Sequence, residues 1–236
     1  APRDEELLVA LANFSGMTRS ALFWLMVVLC LGIGGYALFA YTTRPIGEMV
    51  HPDMRRTFQE HRAGIVTHAI GASIALMLGP WQFIGRLRSR VPQLHRWMGR
   101  IYLLGILVGG LAGLYMSWFA FGGWVSTGGF GTLALLWLWT GVQAYRTARA
   151  RQFAAHRAWM IRNFALALSA VTLRIGLPIG FGMEWPFEVF YPALAWVSWA
   201  PNLLVAEWLI RPKSKPRPVT KPAPTPAPTS TPPSAS

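Results

Sequence analysis

Six long apolar runs alternate with short polar segments along this chain. Each run is long enough to cross ~30 Å of hydrocarbon, which takes about 20 helical residues. The polar segments between the runs are too short to form domains. The pattern predicts an all-α fold, a six-transmembrane-helix bundle within a membrane domain at residues 19–211. The predicted spans are 20–41, 63–84, 99–121, 127–145, 159–181 and 190–210.

Two segments lie outside the predicted membrane domain. Residues 1–18 contain an amphipathic stretch that ends at Ser15-Gly16. This pattern is typical of a helix on the membrane surface, and equally of a frayed terminus. Residues 212–236 hold nine of the 18 prolines, mixed with Lys, Ala, Thr and Ser. Such a composition cannot build a core and predicts a disordered, Pro-rich cytoplasmic tail.

The composition agrees with a membrane protein and excludes a soluble one. Hydrophobic residues make up 53% of the chain and charged residues only 13%, against about 25% charged in soluble domains. The net charge of +13 does not indicate nucleic-acid binding, because the basic residues lie beside the spans. The lipid bilayer is therefore the predicted partner. The single Cys30 excludes a disulfide framework and a C-x-x-C-H haem attachment.

The distribution of basic residues predicts the orientation of the bundle. With the N-terminus inside, 17 basic residues lie on the cytoplasmic side and four on the other side. Cytoplasmic loops of membrane proteins are enriched in Lys and Arg. We therefore expect both termini to be cytoplasmic.

An internal repeat with an offset of 61 residues is the most specific pattern in the sequence. It predicts that spans 2–3 and 4–5 are duplicated helical hairpins, related by a pseudo-twofold axis along the membrane normal. The matching pairs are Gln82/Gln143, Arg88/Arg149, Arg90/Arg151, His95/His156 and Arg96/Arg157 and, after one inserted residue, Trp97/Trp159, Met98/Met160 and Arg100/Arg162.

Polar residues at membrane depth are costly and are therefore candidates for function. They form an outer layer and an inner layer. In the outer layer, Arg174 either extends to Glu184 or Glu188 or binds a ligand with an anionic head group, since guanidinium stays charged. The outer layer is His68 and Arg174, and the inner layer is Gln82, Gln143, His95, His156 and Glu207.

The paired histidines allow two interpretations. His95 and His156 could together ligate one b-type haem, with Arg96 and Arg157 near its propionates. Alternatively, the two motifs are duplicated interfacial anchors, and the tryptophans that follow favour this reading. The sequence has no P-loop, H-E-x-x-H, G-x-S-x-G or paired catalytic carboxylates. It thus predicts no catalytic residues and no metal site, and favours a non-enzymatic role.

Four segments carry a resemblance to a known family: Gly79–Phe83, Leu94–Tyr102, His156–Arg162 and Thr172–Arg174. Over roughly residues 40–210 the chain resembles the predicted bacterial membrane proteins catalogued as domain of unknown function 2306. The resemblance implies a multi-pass protein of the bacterial inner membrane and supplies no activity. A looser similarity connects it to ascorbate-reducible b-type cytochromes, whose four core histidines bind two haems. Here Gly129 replaces the counterpart of His68, so the similarity implies one haem at most.

Three functional hypotheses remain open. The first, which the sequence favours, is a non-catalytic protein that holds a lipid-like ligand or serves as an accessory subunit of a membrane partner. The second is a single-haem electron carrier that uses His95 and His156. The third is a small-solute or proton-linked transporter that uses His68 and Arg174.

Overall fold

A computed structural model describes residues 2–211, with side chains from residue 20 onward, and in this part of the chain there are helices and no strands. The helices are α1 (Pro2–Thr42), α2 (Pro52–Glu60), α3 (Arg62–Leu78), α4 (Gly85–Arg90), α5 (Pro92–Ser117), α6 (Gly123–Arg149), α7 (Phe153–Ala167), α8 (Ser169–Gly182), α9 (Phe187–Val197) and α10 (Ala200–Ile210), with a 3₁₀ turn at Pro80–Phe83 between α3 and α4.

The all-α fold and the six spans are confirmed. The segments long and apolar enough to cross a membrane are Ser20–Thr42, Arg62–Phe83, Pro92–Ser117, Gly123–Arg149, Phe153–Gly182 and Phe187–Ile210. Successive spans run in opposite directions, so α2 and the 118–122 and 183–186 loops share one end of the bundle, the α2 end. The opposite end carries α4 and the turn at residues 150–152.

Two spans begin six or seven residues earlier than the hydropathy pattern predicts. The third span starts at Pro92 and the fifth at Phe153, where the predictions were 99 and 159. Pro92 occupies the first helical position, where its fixed φ suits a helix and its missing N–H costs nothing. The basic first turns lower the mean hydropathy but do not stop the helix. His95 and His156 therefore lie in the first turns of α5 and α7.

The first helix is continuous through the predicted end at Ser15-Gly16, because α1 extends from Pro2 to Thr42. The predicted Pro-rich tail at 212–236 lies outside the described residues.

The fifth and sixth spans are each divided into two helices. Leu168 separates α7 from α8, and Ser198 and Trp199 separate α9 from α10. Pro201 lies in the first turn of α10. In a continuous helix its ring would meet the carbonyl of Val197, four residues earlier, although Pro178 and Pro192 are accommodated inside α8 and α9. Val197 is where α9 ends.

Glycines bring α3 and α5 into backbone contact. A Cβ atom added to Gly71 would lie 2.6 Å from the backbone nitrogen of Gly109, and one added to Gly109 would lie 2.7 Å from that of Ala72. Small residues at a helix interface allow this close approach in membranes. Gly105, Gly109 and Gly113 recur every four residues along α5 and all face α3, so the second and third spans pack closely together.

The packing is compatible with the predicted repeat, which stays a prediction. At the offset of the repeat α6 corresponds to α3, and the two flanking spans pack on these helices, α1 on α3 and α9 on α6. The guanidinium of Arg100 lies 4.8 Å from the Trp97 ring, and that of Arg162 lies 4.6 Å from the Trp159 ring. These matched cation–π pairs occupy equivalent positions of the two predicted hairpins.

Candidate ligand cavity

A cavity of about 780 Å³ lies among all six spans in the half of the bundle nearer the α2 end. We call it the α2 cavity. This volume is in the usual range for small-molecule sites, about 300–1,000 Å³. Its wall is mainly aliphatic and aromatic, and the charged or titratable groups in it are His51, His68, Arg174 and the phenols of Tyr36, Tyr41 and Tyr191.

Small side chains on α1 and α3 leave the space for this cavity. Ala37 and Ala40 line it from α1, and Ala69 and Ala72 line it from α3. A methyl group fills far less volume than the aromatic and branched residues that dominate most cores. Trp137, a much larger side chain, lines the cavity halfway along α6.

The α2 helix covers the end of the cavity. Met54 and Phe58 line it, while Arg56 and Glu60 form an ion pair of 2.7 Å on the exposed side. That hydrogen bond from Arg56 holds the pKa of the Glu60 carboxyl below its usual range. Just before α2, the ring of His51 stacks on Phe187 of α9, with 3.8 Å between centroids.

His68 projects from α3 into a notch in α5. Its Nδ1 lies 2.8 Å from the carbonyl oxygen of Gly109. A Cβ atom added to Gly113 would lie 2.7 Å from Nδ1 and 3.0 Å from Cε1. The glycine therefore makes room for the imidazole, and the Nδ1–Cε1 edge of the ring faces α5.

Arg174 lines the cavity from α8 and is half-buried. Its guanidinium carbon lies 5.9 Å from the centroid of the Tyr36 ring on α1. Among the described residues no acidic side chain is within ion-pair distance of Arg174, so the predicted contact with Glu184 or Glu188 is not formed. His68 and Arg174, the two residues of the predicted outer layer, thus line the same cavity.

On the side of the cavity toward α4, a buried polar cluster joins α5, α6 and α7. The Tyr102 hydroxyl donates to Asn163 Oδ1 at 2.7 Å. The Asn163 amide donates to the Trp137 carbonyl and to Thr140 Oγ1, both at 2.8 Å. Tyr102 and Asn163 are both 0% exposed. Each polar atom named here has a partner, so the cluster serves packing rather than ligand binding.

The predicted inner layer lies toward the opposite end and does not line the α2 cavity. Glu207 accepts two hydrogen bonds from Arg162, at 2.5 and 2.9 Å, which ties α10 to α7. Gln82 is buried, and its Nε2 makes no hydrogen bond to a described residue. Gln143 is half-buried on α6.

The predicted haem ligands differ in their contacts. His156 Nδ1 lies 2.9 Å from the Ala144 carbonyl, whereas His95 Nδ1 has no partner among the described residues. Arg96 and Arg157 are exposed. The single-haem hypothesis therefore stays a prediction, which an absorption spectrum of the purified protein before and after dithionite would test. No group of three or more His, Cys, Asp or Glu side chains within the described ranges is arranged to hold a metal ion.

Comparison with known protein families identifies the family of this chain. The model of a family described as "Predicted membrane protein (DUF2306)" matches residues 65–210. The chain belongs to this family. The comparisons with curated proteins and with solved structures each gave no match.

The part of the chain that matches the DUF2306 family contains the principal cavity residues. His68 and Arg174 lie within 65–210, and so does the buried cluster of Tyr102 and Asn163. The first span and α2 lie outside the matched range, although Tyr36 and Met54 line the cavity. The family segment thus supplies His68 and Arg174, and the preceding segment adds Tyr36, Tyr41 and His51 to the cavity wall.

The sequence analysis did not predict Tyr36, Trp137 or Asn163 as residues of the cavity or of the buried polar cluster. An asparagine in the middle of an apolar span is a signal that could have identified Asn163. The two aromatic residues have no such signal, because tryptophan and tyrosine are frequent throughout this chain.

Proposed function

We propose that this membrane protein holds an anionic, lipid-like ligand in the α2 cavity without transforming it. The observation that carries the proposal is the position of Arg174, which lines a largely apolar cavity without an acidic partner among the described residues. An accessory subunit of a larger membrane assembly would be one setting for such a protein.

The charge of Arg174 favours an anion. Guanidinium cannot lose its proton in a protein, so it needs an acceptor or water wherever it lies. A tyrosine ring at 5.9 Å is near the outer limit of a cation–π contact, about 6 Å, and compensates little of the charge. A carboxylate or phosphate would accept two hydrogen bonds from the same guanidinium.

The lining of the cavity favours a ligand that also has an apolar part. Much of the wall is apolar surface, which a fully polar solute would not complement. This surface comes from residues such as Ala69, Ala72, Leu76 and Trp137. Tyr36 and Phe181 line the cavity and are also 43% and 48% exposed on the surface of the bundle. Residues that line the cavity and are also exposed favour entry of the ligand from the surrounding bilayer.

The test is lipid binding to purified full-length protein, measured by native mass spectrometry with a phospholipid of single negative charge. We expect Arg174→Gln to weaken binding about 10- to 100-fold, because a hydrogen bond to a charged group contributes about 1.5–3 kcal/mol. Arg174→Lys keeps the charge and should retain part of the binding.

The matched control is Arg62→Gln. Arg62 is an exposed arginine near the same end of the bundle that does not line the cavity, so its loss should leave binding unchanged. Equal binding by the native protein and Arg174→Gln would contradict the proposal. An equal loss in Arg62→Gln would point to general surface charge.

Transport through the same cavity is a second candidate, favoured by the divided helices. The breaks at Leu168 and at Trp199 lie beside the cavity wall formed by Ala167, Ser169 and Ser198. Broken helices at mid-membrane are typical of transporter binding sites. Transfer of a fluorescent anionic lipid between leaflets of proteoliposomes, lost in Arg174→Gln, would favour transport over holding.

We also propose the bacterial inner membrane as the location, with the α4 end of the bundle and both termini in the cytoplasm. The asymmetry of basic residues supports this orientation, and the resemblance described above supports the bacterial membrane.

A further inference from the structure

The hydrogen bond of His68 determines the chemistry of its other ring nitrogen. A carbonyl oxygen can only accept, so Nδ1 must carry the proton that it shares with Gly109. In the neutral imidazole the remaining nitrogen, Nε2, is then an acceptor with a free lone pair. A charged imidazole would place a second uncompensated cation in a cavity that already contains Arg174, at a high cost in desolvation.

The free nitrogen faces away from α5. The Nδ1–Cε1 edge of the ring is pressed against Gly109 and Gly113, which leaves Nε2 on the other side of a side chain that lines the cavity. Nε2 makes no hydrogen bond within the described part of the chain, and it is not among the enclosed polar atoms that lack a partner.

His68 and Arg174 lie at similar depths in the membrane. At a rise of 1.5 Å per residue, His68 is about 9 Å from the start of α3 and Arg174 is about 12 Å from the end of α8. Both of these helix termini are at the α2 end. A ligand group that reaches Arg174 is therefore at the level of His68.

We propose that the ligand is an anionic lipid with a hydroxyl group beside its charge, whose hydroxyl donates to His68 Nε2 while its anion binds Arg174. This inference rests on the proposed function and specifies the ligand class. An anion alone would satisfy Arg174 and leave the imidazole acceptor unused. Phosphatidylglycerol has this chemistry, since its phosphodiester carries one negative charge and its head group ends in hydroxyls.

The experiment compares two lipids that differ only in those hydroxyls. Dioleoyl phosphatidylglycerol and dioleoyl phosphatidylpropanol are both monoanionic phosphodiesters with a three-carbon head group, and the second lacks the glycerol hydroxyls. Equimolar mixtures are bound to the full-length protein in mild detergent and quantified by native mass spectrometry. We expect the native protein to prefer phosphatidylglycerol about three- to tenfold, the contribution of one neutral hydrogen bond.

Substitutions of His68 should remove the preference selectively. His68→Phe keeps a ring in the notch beside Gly113 and removes the acceptor, so the two lipids should bind equally. His68→Gln should keep part of the preference, because a carboxamide can donate to Gly109 and accept from the ligand. His61→Phe is the matched control: His61 stacks on Phe119 and does not line the cavity.

The outcomes separate this inference from the proposed function. If the native protein binds both lipids equally and Arg174→Gln weakens both, the inference is wrong and the proposed function stands. If neither lipid depends on Arg174, the proposed function fails. The native preference decides the question even if His68→Phe does not fold. Displacement of the lipid by free glycerol phosphate would contradict a lipid ligand and indicate a soluble anion.

Discussion

At the scale of single residues, the buried polar groups of this protein divide into satisfied and unsatisfied ones. Asn163 and Glu207 have complete partners on neighbouring helices. Arg174 has no acidic partner among the described residues. All three are equally conspicuous in an apolar sequence, and only the packing distinguishes them. The sequence analysis identified Arg174 and Glu207 but not Asn163, and it could not tell which of these residues hold the fold and which are available to a ligand.

We expect Tyr102 and Asn163 to be energetically coupled. Tyr102→Phe leaves the Asn163 oxygen without its donor, and Asn163→Ala leaves the Tyr102 hydroxyl unpaired. Each substitution should lower the free energy of unfolding by about 1–3 kcal/mol. The double variant should lose less than the sum, by about 1 kcal/mol, as hydrogen bonds between membrane helices contribute up to about 1.7 kcal/mol. Reversible unfolding in mixed micelles measures this, and strictly additive losses would contradict the coupling.

At the scale of helices, the sequence predicted the spans well and their interruptions poorly. Hydropathy averages over about 19 residues, so it finds a long apolar run and cannot resolve a break of one or two residues. Pro201 is a signal for the break that precedes it, but it is an ambiguous one, because Pro178 and Pro192 lie inside α8 and α9. The break at Leu168 has no proline near it, and the sequence carries no comparable signal. The early starts at Pro92 and Phe153 were missed because basic turns lower the average.

We expect the glycine contact between α3 and α5 to be intolerant of a single methyl group. In Gly71→Ala the new Cβ would lie 2.6 Å from the Gly109 nitrogen and 2.9 Å from the Gly105 oxygen. Since these are backbone atoms, the helices must separate, at a cost of about 1–3 kcal/mol in unfolding free energy. Thermal unfolding in detergent measures the loss.

Gly35→Ala is the matched control for this substitution. Gly35 is an exposed helical glycine in α1, and an added Cβ would meet nothing within 4 Å. Alanine is a better helix former than glycine by about 1 kcal/mol, so Gly35→Ala should leave the melting temperature unchanged or raise it. Equal destabilisation by both substitutions would show that the close contact is not what matters.

At the scale of the whole molecule, the sequence could predict the class and could not predict the cavity. Apolar length decides how many helices cross a bilayer, and this requires no knowledge of neighbours. A cavity depends on which small residues of separate helices face one another. Ala37, Ala69 and Ala134 lie on three spans and line the same space. The sequence predicted similar depths for His68 and Arg174, and both line the cavity, but nothing in the sequence indicated the volume between them.

The orientation in the membrane is the last prediction, and it follows from charge. The α4 end should be cytoplasmic because basic residues are retained on that side during insertion. Cys30 is 0% exposed and can be replaced by alanine to give a background without thiols. Ser89 on α4 and Gln59 on α2 are exposed positions at opposite ends. A membrane-impermeant maleimide applied to spheroplasts should label Gln59→Cys at once and Ser89→Cys only after the membrane is disrupted. The reverse pattern would place the α2 cavity in the cytoplasmic half of the membrane, and a ligand would then enter from the inner leaflet.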